Sequence, residues 1–400
     1  MPIIRKGAAS DREIALGLGL PPIPERLLLW HSRGEVMFIT GAGISQPAGL
    51  PDFRELVVRV YAQLDKAVHA VISPPGVSGK LGVVPAGLTV QQEAEVNRFN
   101  RKDYDVVLGM LERRMEKEPH VRSRVRQVVA GVLRGAKPAQ IHRSLMRLAD
   151  RGGAVAIVTT NFDLLLEDAA RRSSTSVQTY TLGGIPRPGR RNDFAGVLHI
   201  HGALDRNPDR TSDLVITDRD FGEFYLRRRV VPDLIYDAAR LFNLVLVGYS
   251  ANDPPMRYLL NSVAADGTRF KDLRERFAFV GGSGASDSVE MEDWKGRGIT
   301  PIPYDEADNH LALGKTLERW SALSAINGKK GLVDAEIKRI VRQKWSAATD
   351  ADRDLLDHLF RRSDSKERDR LSSLASEQKA DYRWLEVIVA VAKEPVRESP

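Results

Sequence analysis

Five polar residues lie at the ends of runs of β-branched and small apolar residues, and their types could do acid–base and orienting work. Asn161 and Asp163 stand in Thr160-Asn161-Phe162-Asp163, directly after Ala154–Thr159; His199 and His201 close the run Val197–Ile200; and Ser45 lies just beyond Glu35–Thr40. An imidazole titrates near neutral pH and can take a proton from a hydroxyl or water, while an amide and a carboxylate can orient the reacting groups. Each also has a plainer reading. An Asn-x-Asp after a strand can be a turn or helix cap. Two histidines two residues apart on a strand share a face, so they could hold a metal, or His199 could pack beneath a functional His201. His142, on a helical pattern among apolar neighbours, reads as structural.

A second chemistry-bearing segment is Gly41-Ala42-Gly43-Ile44-Ser45-Gln46-Pro47-Ala48-Gly49-Leu50-Pro51-Asp52-Phe53-Arg54. Glycines after a strand let the backbone approach a phosphate, and amides at a helix start attract anions. The third glycine of a G-x-G-x-x-G fingerprint would fall on Gln46, which argues against an ordinary hydride-transfer site. Asp52 stands either against ligand or as the cap of the next helix.

These residues need a scaffold that brings strand ends together. Five short runs read as buried parallel strands: 35–40, 154–159, 197–200, 243–248 and 276–280. Helical patterns at Gln140–Ala149 and Pro232–Phe242 lie between them. Strands alternating with helices predict a doubly wound α/β sheet, in which chemistry gathers at the strands' carboxyl ends. Residues 72–89 read as a Pro- and Gly-rich loop and 91–133 as mostly helical, a helical insertion (about 60–135) suited to form the other wall of a cleft. After Pro301-Ile302-Pro303 the chain turns helical again. We therefore expect a catalytic domain over 1–328 and a helical module over 329–400, for oligomer or partner contacts.

The 400 residues include 60 Lys and Arg against 53 Asp and Glu, a net charge of +7, and no cysteine. Disulfides, thiol nucleophiles and Cys-based zinc sites are thereby excluded. No run approaches the roughly 18 apolar residues of a membrane span, and the N-terminus lacks the order of a signal peptide, so a soluble, cytoplasmic protein is expected. The mild positive charge fits a solvated surface as well as nucleic-acid contact; Arg227-Arg228-Arg229 and Arg361-Arg362 lack interleaved aromatics.

The fourteen-residue glycine segment resembles the NAD-binding signature of the sirtuin superfamily, Gly-Ala-Gly-x-Ser followed by Gly-Ile-Pro-Asp-Phe-Arg, with Leu50 in place of the Ile. Further matches follow in the same order: Pro138-x-x-x-His142-x-x-Leu145, Thr160-Asn161-Phe162-Asp163 for Gln-Asn-Ile-Asp, His201-Gly202 for the catalytic His-Gly, and Gly248-Tyr249-Ser250 for Gly-Thr-Ser. The resemblance implies a Rossmann-like sirtuin fold with NAD+ as substrate. It places Gly41, Ala42, Gly43 and Ser45 at the pyrophosphate, Arg54 at phosphates or ribose, Phe53 over the reacting ribose, and Gly248, Tyr249 and Ser250 on the adenosine side. Asn161, Asp163 and His201 become the catalytic set, with Asp52 beside the cofactor.

The familiar sirtuin deacylases carry paired cysteines for a structural zinc, and this chain has none, so no zinc is expected. The segments 202–226, Gly248–Pro254 and Pro303–Leu311 instead resemble a divergent prokaryotic branch of NAD hydrolases in antiphage defence. That resemblance implies NAD+ glycohydrolase activity, a homo-oligomer, and a separate partner such as a HerA-family ATPase or an Argonaute. A protein deacylase or ADP-ribosyltransferase, and an NAD- or ADP-ribose-sensing module, are the alternatives.

Overall fold

A computed structural model describes residues 12–73, 87–116, 123–171, 177–182, 184, 195–204, 214–249, 260–261, 273–282 and 288–394. A small antiparallel pair, β1 (Glu13–Ala15) and β2 (Pro22–Pro24), precedes the main sheet. The sheet strands are β3 (Val36–Thr40), β4 (Ala156–Thr159), β5 (Thr179–Thr181), β6 (Gly196–His199), β7 (Asn243–Val247), β8 (Arg276–Gly282) and β9 (Thr300–Asp305). Their order is β5-β6-β4-β3-β7-β8-β9, and every neighbouring pair is parallel. This is the doubly wound α/β sheet expected from the sequence. The chain leaves β3 towards β4 on one side and returns to β7 on the other, so the order reverses at β3, where such sheets open a crevice.

Register then sets the level of the strand ends. Thr40 pairs with Thr159 and with Val247, and Thr159 pairs with His199. Four strands stop on one line, and the segments that follow them, starting at Gly41, Thr160, Ile200 and Gly248, leave the sheet side by side.

Two strands of the main sheet, like the β1–β2 pair, had no signal in the sequence reading. β5 is three residues long and half-exposed, without an apolar run. β9 contains Pro301 and Pro303, which normally break a ladder. Both share one parity on an edge strand bonded only to β8, so their missing N–H groups can face outward without loss.

Alternation along the strands builds a core on each face. Phe38, Ile157, Val197, Val245 and Phe277 point to one face, where helices 25–32, 140–149 and 307–323 pack. The C-terminal helices 330–341, 350–361, 365–377 and 382–392 share that apolar cluster through Ile337, Leu356, Phe360, Leu371 and Trp384. Met37, Ile39, Val158, Leu198 and Leu246 point to the opposite face, against helix 230–241 and Trp294.

A third core belongs to helices 53–64, 66–72, 90–100, 104–115 and 124–133. It also takes in Phe162, Leu204, Leu214 and Ile216, all from segments beyond the strand ends. The helical insertion therefore rests over the carboxyl ends of β4 and β6. Buried Arg126 braces it there, with bonds to Glu112, both oxygens of Asp220 and the Leu214 carbonyl. Most of the loop expected at 72–89 lies outside the described residues.

Candidate active site

Beyond β3 the chain forms a short 3-10 turn, Ala42–Ile44, that interlocks with the end of β7. A Cβ on Gly41 would sit 2.7 Å from the Gly248 oxygen, one on Gly43 would sit 2.9 Å from the Gly248 Cα, and one on Gly248 would sit 2.6 Å from the Ile44 nitrogen. Gly248 also has φ +61, in the left-handed region. The glycines thus have a packing reason of their own, apart from any ligand. The Gly43 amide donates to the Gly248 oxygen at 2.9 Å and the Ser45 amide to the Ala42 oxygen at 2.9 Å, so both are engaged within the chain. The ring of Tyr249 covers the Gly41 backbone. Ser250, like Ala251–Pro254, lies outside the described residues.

Ser45 joins this loop to the one after β4. Asn161 Nδ2 donates to the Gly41 carbonyl at 3.1 Å and to Ser45 Oγ at 3.0 Å, and Ser45 Oγ donates to Asp163 Oδ2 at 2.9 Å. Asp163 Oδ1 also receives the Leu165 amide, so it opens helix 165–171. Asn161, Ser45 and Asp163 form one buried hydrogen-bonded chain. The cap reading and the functional reading therefore describe the same aspartate.

The two histidines would share a face on a continued strand, but β6 ends at His199 and His201 lies in the turn beyond it, so they take different partners. His199, fully buried, places Nδ1 2.7 Å from the Asn161 carbonyl and Nε2 2.9 Å from Glu167 Oε1. Both nitrogens are taken, which leaves none for a metal shared with His201. Among the described residues no group of three or more metal-ligating side chains occurs. His201 shares a 2.7 Å hydrogen bond with the Tyr225 hydroxyl and meets Phe221 edge-on. Tyr225 lies in a π-helical stretch, Gly222–Arg227, that continues helix 218–221. Such stretches recur at functional sites.

Residues 155–302 match the family model of the SIR2-like domain. The chain is also 34% identical over 294 residues to a protein of Sinorhizobium fredii (strain NBRC 101917 / NGR234) called uncharacterized protein y4cA. That match covers 71% of this chain and 22% of the relative, so the chain spans about a fifth of the relative's length. Among solved structures, a Sir2 enzyme is similar at 15% identity and TM-score 0.38, over 75% of this chain and 98% of that one. A Sir2 homologue in complex with NAD is similar at 16% identity and TM-score 0.34, over 79% and 97%.

The SIR2-like region holds Asn161, Asp163, His199, His201, Tyr225 and Gly248; the Gly41–Ser45 loop and Asp52–Arg54 precede it. Asp52 accepts the Glu55 amide at 2.7 Å and so caps helix 53–64. Phe53 meets Tyr104 edge-on, and the Arg54 guanidinium stacks 5.3 Å over the Phe99 ring. Both side chains engage the helical insertion. His142 accepts the Ala139 amide through Nδ1 and closes the start of helix 140–149, the structural part read for it.

Burial sets the proton affinities within the SIR2-like region. Desolvation pushes His201 down to about 3, so its imidazole is neutral at working pH. Asp163 is raised by burial, against the bonds from Ser45 and the Leu165 amide. Burial also pulls His199 down, but the charge and hydrogen bond of Glu167 outweigh it and hold the imidazole above its ordinary value. Glu167 is correspondingly lowered by His199 in spite of its own burial. A His199–Glu167 ion pair thus lies under the Asn161 loop.

Sequence reasoning gave Glu167 no role, although an acid ending the run Leu164-Leu165-Leu166 is a signal of a buried, paired carboxylate. Tyr225 carried only a resemblance.

Proposed function

We propose that this protein hydrolyses NAD+ to nicotinamide and ADP-ribose. The observation that carries the reading is the buried chain Asn161–Ser45–Asp163 at the end of β4, with a neutral histidine, His201, at the end of the adjacent β6. The C1′–N bond to nicotinamide breaks and its electron pair leaves with the nicotinamide nitrogen. Water oxygen bonds to C1′, and the water proton passes to His201 and then to solvent. His201 first gives up its bond with Tyr225. Asp163 orients the carboxamide of nicotinamide, and Asn161 holds the ribose or the attacking water.

Phe53 covers the ribose and keeps bulk water off the cationic centre. Arg54 and the Gly41–Ser45 loop face the pyrophosphate. Binding through the Gly43 and Ser45 amides requires their internal bonds to open. Gly248, Tyr249 and Ser250 face the adenosine, and Asp52 serves the cofactor side by holding the start of helix 53–64. The absence of cysteine supports hydrolysis over deacylation, because a zinc-bound module of the kind that shapes an acyl-lysine channel cannot form. In the cell the activity would deplete NAD during phage infection, as a homo-oligomer working with a HerA-family ATPase.

The test is nicotinamide release from NAD+ by the purified protein, alone and with the products of neighbouring genes and phage components. Release with equal ADP-ribose supports the proposal. No release under any of these conditions overturns it, and transfer to an acyl-lysine peptide or to a protein acceptor would replace it.

A further inference from the structure

Away from the sheet crevice, a small cavity lies where helix 25–32, the end of helix 307–323 and the end of helix 350–361 meet. Leucines and Trp320 give it apolar walls, and Ser32, Ser324, His31, His358 and Arg362 line its polar side. Arg362 is 9% exposed, and its Nε and Nη2 are buried with no hydrogen-bond partner among the described residues.

Arg276, also buried, leaves only Nη1 unpartnered among the described residues, since Nε and Nη2 both reach the Gly298 carbonyl, and two further buried arginines are fully engaged. Arg126 has two carboxylates, and Arg368 is saturated by the carbonyls of Phe360, Ser363, Val391 and Glu394, among others. The acids near Arg362 face other cations: Glu25 Oε2 lies by Arg12 and Arg361, its Oε1 stays 3.4 Å from His358 Nδ1 without a hydrogen bond, and Glu367 is held by Arg370. Neither histidine can supply a negative charge. His31 donates Nε2–H to the Leu148 carbonyl, and burial, with Arg362 close by, holds its ring neutral. Burial lowers the Arg362 guanidinium to about 10, which leaves it charged at neutral pH. The C-terminal end of helix 350–361 offsets part of that charge but supplies no acceptor to Nε or Nη2. A buried cation whose Nε and Nη2 have no acceptor among the described residues, and whose nearest carboxylate, Glu367, is bonded to Arg370 instead, marks a missing ligand.

We propose that this cavity binds one small monovalent inorganic anion of the chloride class, held by Nε and Nη2 of Arg362. One positive charge calls for one negative charge. The cavity has room for a species about the size of a single water molecule or halide, which excludes sulfate and phosphate. A bound anion would tie helix 350–361 to helix 25–32, which leads into β3 and the glycine loop.

The test pairs diffraction with unfolding, on the full chain. Crystals grown in bromide should show an anomalous peak at Arg362 Nε and Nη2. At constant ionic strength, replacing gluconate with chloride should raise the folded-to-unfolded ratio of the wild type about tenfold at ten times the dissociation constant. Arg362→Met should abolish that dependence. Water alone at the guanidinium in bromide, or the same chloride dependence in Arg362→Met, overturns the site. If Arg362→Met does not fold, the bromide peak in the wild type decides by its presence or absence.

Discussion

His199 Nδ1 lies 2.7 Å from the carbonyl oxygen of Asn161, so a residue buried in β6 holds the loop that β4 presents to the crevice. The far side of the same ring is held by Glu167 at 2.9 Å. The candidate catalytic amide is therefore fixed on its backbone by His199 and on its side chain by Gly41 and Ser45.

That arrangement predicts different outcomes for two substitutions. His199→Ala leaves Glu167 buried with the Thr179 hydroxyl but without its imidazole, and should lower stability by about 3–5 kcal/mol in urea unfolding. Glu167→Gln keeps an acceptor for Nε2–H, so it should lose much less stability while lowering kcat of nicotinamide release more than it changes KM. Full stability in His199→Ala would mean that the pair does not carry the loop.

Turnover should depend on Asn161 and His201 far more than stability does. Asn161→Ala and His201→Ala are each expected to lower nicotinamide release by about 10²–10⁴-fold, the range for loss of a positioned acid–base group. Circular dichroism should stay near wild type, while Asn161→Ala loses about 1–3 kcal/mol because the Gly41 carbonyl and Ser45 hydroxyl lose its amide. Full activity in both variants would place the site elsewhere.

The interlocked glycines predict a backbone effect with no change of charge. Gly248→Ala puts a methyl 2.6 Å from the Ile44 nitrogen at φ +61, where nothing flexible can move aside. A loss of about 1–3 kcal/mol is expected, together with loss of turnover. Gly49 also has a positive φ, +84, but a Cβ there meets nothing within 4 Å. Gly49→Ala should therefore show backbone strain alone and a smaller effect on turnover.

What the sequence made legible follows from which signals are local. Strand runs such as Val36–Thr40 and Asn243–Val247 are continuous apolar stretches, and their ends mark where the crevice opens. Pro301 and Pro303 hid β9, because an edge position is a property of the whole sheet and cannot be read from six residues. The His199–Glu167 pair was invisible for a related reason: it needs the register that sets Thr159 beside His199. Phe53 and Arg54 were placed against ligand by resemblance, while their packing on Tyr104 and Phe99 depends on two helices that begin 51 and 37 residues after Phe53.

Acid should destabilise the fold through histidines that burial keeps neutral. His31 and His142 are each lowered to about 4 and His201 to about 3, from an ordinary value of 6.5. The unfolded chain therefore binds protons that the folded chain refuses. The stabilisation is fully present above pH 6.5 and is lost as pH falls from there towards 4 and 3. Between those limits these three groups give a slope of about 4 kcal/mol per pH unit at most, and His358, also lowered by burial, adds in the same direction. His199 has the opposite sign, since its raised affinity favours the folded state at low pH and fades as pH rises. Urea unfolding at pH 7, 6 and 5 should show stability dropping steeply below about pH 6. In His142→Gln, which keeps an acceptor for the Ala139 amide, the slope should be shallower by about one proton. An unchanged slope would mean that His142 is protonated in the folded state.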